Sequence, residues 1–112
     1  MTVISVGVLP ELLWLREAVL EAAGHKVRSF TEPERAVPEL RKGGCGVLLL
    51  CYSVDDESRI QLLRSFREYC PNGRIVAITN FPVLEQDSKD ADELVYGVDG
   101  PEALLDAIGR TK

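Results

Sequence analysis

No stretch of this sequence approaches the roughly 20 apolar residues that span a bilayer, so no membrane-crossing helix is expected and no membrane partner. Basic charge is also scarce. Lys and Arg number 13 against 18 Asp and Glu, a net charge of -5 at pH 7. Phosphate backbones demand a basic stripe, so nucleic acid is not an expected partner either. Cysteine is confined to Cys45, Cys51 and Cys70, without a Cys-x-x-Cys pair, and the odd count argues against a disulfide framework. The start, Met1-Thr2-Val3-Ile4, has no basic n-region, so no signal peptide is expected and the protein reads as reduced and cytoplasmic. The single histidine, His25, does not stand at zinc-ligand spacing from Cys45 and Cys70, so no metal is expected. Gly7 and Gly46 lie in no Gly-rich strand-to-helix turn, so no phosphate-binding fingerprint or cofactor is expected. Repeats, linkers and low-complexity stretches are absent. What remains is one ordinary domain, residues 1–112, with 46% hydrophobic and 28% charged residues.

The apolar residues come in short blocks. Val47-Leu48-Leu49-Leu50 has no polar alternation and reads as a strand buried on both faces. Cys51 ends it, where the carboxyl ends of central strands in open sheets meet the ligand crevice. Before it, residues 2–8 form a β-branched strand, and Pro10 opens a helix to Ala23 that Gly24 closes. That helix carries Leu12, Leu15, Val19 and Ala22 on one stripe, widened by Leu13 and Leu20. Residues 25–30 alternate as a strand nearer the sheet edge. Thr31-x-x-Glu34 is a capping box for a helix to about Lys42, which Pro38 should kink or shorten. After Cys51, the acids Asp55, Asp56 and Glu57 suit a helix start, and Ile60, Leu63 and Phe66/Arg67 set its apolar stripe. Residues 74–79 and 94–96 are two more strands, and Asp99-x-x-Glu102 caps a final helix to about Arg110. Between them, residues 80–92 are polar and acidic, and read as a short helix or a loop. Strand and helix alternate throughout, which predicts a doubly wound, flavodoxin-like α/β domain. Its five-stranded parallel sheet has the order 2-1-3-4-5, and its fourth helix is shortened.

Several segments resemble the receiver domain of response regulators, the CheY-like family. Val3-Ile4-Ser5-Val6 followed by Pro10, then Leu20-Glu21-Ala22-Ala23-Gly24-His25-Lys26-Val27, is similar to its first two elements. Val47-Leu48-Leu49-Leu50 resembles its third strand and Ile75-Val76-Ala77-Ile78-Thr79 its fourth. The run from Gly97 to Leu105 resembles its last loop and helix, with a few residues missing between Thr79 and Leu94. The resemblance implies Mg²⁺ held by an acidic pair after the first strand and a phosphoryl group taken by an aspartate after the third. It further implies a threonine after the fourth strand and a lysine after the fifth. Carried over position by position, the acidic pair falls on Gly7 and Val8, the phosphoacceptor on Cys51, the hydroxyl on Thr79 and the lysine on Gly97. The proline after the lysine falls on Val98 and the aromatic switch position on Leu94. Without acids, acceptor or lysine, ordinary phosphotransfer is not expected, because that chemistry depends on a cation neutralising charge. The implied protein is a degenerate pseudo-receiver: a two-component or phosphorelay signalling module that is not an enzyme.

Plainer readings stand beside each of these. Cys51 is either a redox sensor or, more simply, a small buried apolar residue with no nearby cation in sequence to lower its pKa. Asp55, Asp56 and Glu57 are better read as helix-start acids than as a displaced metal cluster. Trp14 either packs beneath a loop or stands out as an interface anchor, and Tyr96 carries the same ambiguity. The leading expectation is therefore phosphorylation-independent contact with a protein partner or a second copy. It would run through the face that the family builds from its fourth helix, fifth strand and fifth helix, here with Leu94 and Tyr96, and with Trp14. No output domain is expected after Lys112. The alternative is a small-ligand or thiol sensor in the crevice around Gly7, Cys51, Thr79 and Gly97.

Overall fold

The computed structural model describes residues 2–79 and 91–110. Strands β1 (Thr2–Val6), β2 (Lys26–Phe30), β3 (Val47–Cys51), β4 (Arg74–Thr79) and β5 (Glu93–Tyr96) alternate with helices. The helices are α1 (Pro10–Ala22), α2 (Pro33–Arg41), α3 (Asp56–Tyr69) and α4 (Gly100–Arg110), and a 3-10 turn, Gly97–Asp99, joins β5 to α4. All pairings are parallel and the sheet order is β2-β1-β3-β4-β5, as the alternation of elements predicts. The shortened fourth helix is expected between β4 and β5, a segment that lies largely outside the described residues.

Pleating sends successive side chains to opposite faces, so each buried strand feeds two cores. Ile4, Val6, Leu48, Leu50 and Ile75 pack beneath α2 and α3, which supply Ala36, Val37, Leu40, Leu62 and Phe66. Val3, Val47, Leu49, Val76 and Ile78 pack on the other face beneath Leu20 of α1 and Leu104, Ala107 and Ile108 of α4. Every residue of β3 is buried, which explains why its sequence shows no alternation.

At the near end of β5, Asp92 Oδ2 accepts hydrogen bonds from Ile75 N–H at 2.8 Å and Arg67 Nη2 at 3.1 Å. Asp92 N–H donates to the Ile75 carbonyl at 2.8 Å, and Arg74 Nη1 stands 3.7 Å from Oδ1. Burial alone would raise the Asp92 pKa, but the Ile75 amide and the Arg67 and Arg74 guanidiniums outweigh it and lower it.

Four local expectations need correction. First, β1 stops at Val6, and Val8 stands in the following loop, 43% exposed. Second, α1 is rotated from its expected stripe. Leu13 and Leu20 lie on the sheet, while Leu15 is 60% exposed and Ala22 faces solvent. Leu12 and Val19 point instead toward α4, whose presence beside α1 no helical wheel reveals. Third, α2 takes Glu32 as N-cap with no side-chain hydrogen bond, so Thr31 does not cap it. Starting there puts Pro33 in the first helical position, where its fixed φ suits the helix and its missing N–H costs nothing. Pro38 does not stop this nine-residue helix, and Glu34, whose carbonyl would have accepted its bond, is an exposed residue. Fourth, α3 buries Arg59, Leu62 and Phe66 rather than Ile60, which is exposed. An arginine does not read as core, so the one-residue rotation was hidden. The helix start is as expected: Asp55 caps it, its Oδ2 accepting from Ser58 N–H at 3.1 Å.

Candidate functional site

In a sheet ordered 2-1-3-4-5 the winding direction reverses between β1 and β3, and the carboxyl ends of those strands open a crevice. Val6, Cys51, Thr79 and Tyr96 end their strands side by side: Val6 pairs with Leu50, Cys51 with Ile78, and Thr79 with Tyr96. The structure brings Gly7 directly onto Cys51. A side chain added at Gly7 would place its first carbon 2.8 Å from Cys51 Cβ, 3.5 Å from Cys51 Sγ and 3.4 Å from Ser53 Oγ. Carbon atoms in contact ordinarily stand about 3.5–4.0 Å apart, so no side chain fits at Gly7 without moving β3. Cys51 is 1% exposed and Thr79 likewise buried, so the thiol packs as a small apolar group.

The loops after β1 and β3 are tied together. Ser53 Oγ accepts from Val8 N–H at 3.0 Å, and Gly7 N–H donates to the Phe30 carbonyl at 3.2 Å. Those bonds hold the backbone of Gly7 and Val8 in place while the Val8 side chain is turned to solvent. Across the crevice, Gly97 is backed by the Thr79 carbonyl oxygen, Ile78 Cγ2 and the Tyr52 ring. These would stand 3.7, 3.8 and 3.9 Å from an added Cβ, ordinary contact distances that leave room for one. Tyr52 is half-buried against the core beneath α1 and α4, with its ring edge beside Gly97. Neither Tyr52 nor Ser53 stands out in sequence, since both follow Cys51 in a loop. The one available signal is their position immediately after a buried strand.

Leu94 and Tyr96 lie half-buried on β5, the edge strand of the sheet, and Trp14 on α1 is 64% exposed. Trp14 is thus not packed beneath a loop of the described residues. Tyr96 pairs with Thr79 at the strand ends, whereas Trp14 lies on α1. Among the described residues, no three His, Cys, Asp or Glu side chains gather in a way that could hold a metal ion. Magnesium takes near-octahedral oxygen ligands. Gly7, Val8 and Cys51 bring no side-chain oxygen to the strand ends, so the residues present do not fit it. Asp55, beyond the crevice, is engaged as a helix cap, and the hydrogen bonds from Ser58 lower its pKa.

The arrangement of strands and loops matches solved structures closely. A response regulator receiver domain protein from Clostridium thermocellum superposes with a TM-score of 0.85 over 98% of this chain and 92% of its own, at 15% identity. This is the CheY-like receiver fold. The response regulator TrrA from Thermotoga maritima, solved in complex with Mg²⁺ and BeF, shares it with a TM-score of 0.84. It is 18% identical, over 99% of this chain and 98% of that one. NtrX from Brucella abortus, solved with ADP, shares it at 0.82 and 15% identity, where 98% of this chain matches 25% of a longer one. The receiver fold is therefore found both alone and inside larger proteins. Neither a protein-family model nor a curated protein sequence matches this chain. At these identities the likeness concerns the receiver fold and leaves its chemistry to the residues. No helix among the described residues is long and apolar enough to cross a membrane.

Proposed function

We propose that this chain is a receiver-fold signalling module of the two-component type that acts through phosphorylation-independent protein–protein contact. The observation that carries the reading is the approach of Gly7 to Cys51, where an added Cβ would meet Cys51 Cβ at 2.8 Å. In the fold's usual arrangement, as the resemblance implies, this space holds carboxylates and a cation. Here two small residues close it. Gly97 offers no amine.

Phosphoryl transfer to a protein side chain relies on positioning and on neutralising the charge of the equatorial oxygens. The crevice supplies neither, so we assign it a vestigial role and the chain no enzymatic step. Output then falls to surfaces: β5 with Leu94 and Tyr96, α4 beside it, and the exposed Trp14. An aromatic of this size left in water is the kind of residue that anchors interfaces. The alternative, a thiol sensor at Cys51, has the near-complete burial of that thiol against it.

Mg²⁺ and beryllofluoride, added together to ¹⁵N-labelled protein, test the reading. The expected spectrum is unchanged at the amides of Gly7, Cys51, Thr79 and Gly97. Saturable shifts centred on those four amides would contradict it.

A further inference from the structure

A second concavity lies between α1 and α4, apart from Cys51. It is a groove of about 110 Å³ whose walls include Leu12, Leu15 and Val19 of α1, Val95 and Tyr96 of β5, and Leu104 of α4. Ile78 is among its lining residues. One charged side chain enters this apolar surface: Arg16, half-buried, which forms no hydrogen bond or ion pair among the described residues. The exposed Leu15 lines this groove, together with Leu12 and Val19, which the rotation of α1 leaves facing α4 rather than the sheet.

Binding sites for small molecules are concave and mostly apolar, with a few polar groups that fix orientation. The groove has that make-up. An engineered cavity of about 150 Å³ lined by apolar side chains takes up benzene, and this smaller groove suits an apolar body no larger than one such ring. Arg16 lines the groove, and its guanidinium is a planar fork that matches a carboxylate. From this combination, the geometry points to a binding site for a small monocarboxylic acid with an aromatic or short branched body. The acid lies along Leu12, Val19 and Leu104, and its carboxylate meets Arg16. Gly97 belongs both to this groove and to the back of the crevice beside Thr79 and Tyr52, so a ligand here touches the segment that leads from β5 into α4. This inference does not depend on the protein-contact reading above.

Titration of ¹⁵N-labelled protein with benzoate, and separately with benzamide as its uncharged counterpart, tests it. Benzoate is expected to shift the amides of Leu12, Arg16, Val19, Gly97 and Gly100 saturably, and benzamide to bind about tenfold more weakly, as loss of a charge-assisted bond predicts. Arg16→Gln is expected to weaken benzoate about tenfold while leaving benzamide unchanged, and Arg16→Lys to restore part of the difference. Equal affinity for the two probes overturns the assignment, as does a shift map centred elsewhere or the absence of saturable shifts. Shifts at the same amides that depend on protein concentration without any probe would put a second copy in the groove and overturn it equally.

Discussion

Replacing Gly7 with alanine sets a methyl carbon 2.8 Å from Cys51 Cβ. The obstructing atom is not the free end of a flexible side chain. Cys51 Cβ is fixed to the central strand, which pairs on both sides. Relief therefore requires β1 and β3 to move, and overpacking of this kind costs about 1–3 kcal/mol. Gly7 does not occupy a left-handed conformation, so alanine is compatible with its backbone. The narrower unfolded ensemble then returns about 0.4–1 kcal/mol. The net loss is between about 0 and 2.6 kcal/mol, or up to roughly 11 °C in Tm for a domain of this size. A double-mutant cycle with Cys51→Gly, read by urea unfolding, isolates the contact. Removing the opposing Cβ should recover most of the Gly7→Ala loss, as a coupling of at least about 0.5 kcal/mol. Gly7→Ala more stable than the wild type, or strict additivity of the two changes, would refute the claim that these residues close the crevice.

Three further outcomes follow from the packing. Asp92→Asn should destabilise by about 1–3 kcal/mol, because it removes a charged acceptor from Ile75 N–H and Arg67. Since the folded-state pKa of Asp92 is lowered, its contribution is present above the ordinary value of 3.8 and lost as pH falls through the folded value, so urea midpoints of wild type and variant should converge in acid. At Cys45, burial pushes the thiol pKa up to about 11, so its stabilising effect is intact below pH 9 and lost as pH rises from 9 toward 11; Cys45→Ala should flatten that alkaline limb of a stability profile. On α1, Leu20→Ala should cost about 2–5 kcal/mol and Leu15→Ala within about 0.5 kcal/mol, a contrast that thermal melts resolve and that equal losses would contradict.

The middle of the sheet was legible because β1, β3 and β4 are rich in β-branched residues and leucine and nearly free of polar alternation, as strands covered on both faces are. Val47 to Cys51 and Arg74 to Thr79 fall where the sequence placed them. Helix faces were harder. Seven leucine, valine and alanine positions on α1 are more than one buried stripe needs, and which of them meet the sheet depends on where α4 lies. On α3, Arg59 occupies a core position that its charge disguises. At the crevice, the resemblance led to Gly7, Cys51, Thr79 and Gly97, but their contact is long-range. Nothing in sequence says that Gly7 touches Cys51, that Ser53 binds the Val8 amide, or that the Tyr52 ring backs Gly97. Arg16 was equally silent, being an ordinary arginine on an amphipathic helix until its neighbours are known.

Acetyl phosphate and Mg²⁺ incubated with the purified chain, followed by intact-protein mass spectrometry, put the closed crevice to its most direct test. The expected spectrum contains the unmodified mass alone, for the wild type and equally for Cys51→Asp, whose new carboxylate still has no acid at Gly7 or Val8 to bring a cation beside it. A stable phosphoryl adduct on the wild-type protein, mapped to the ends of β3 or β4, would contradict the account.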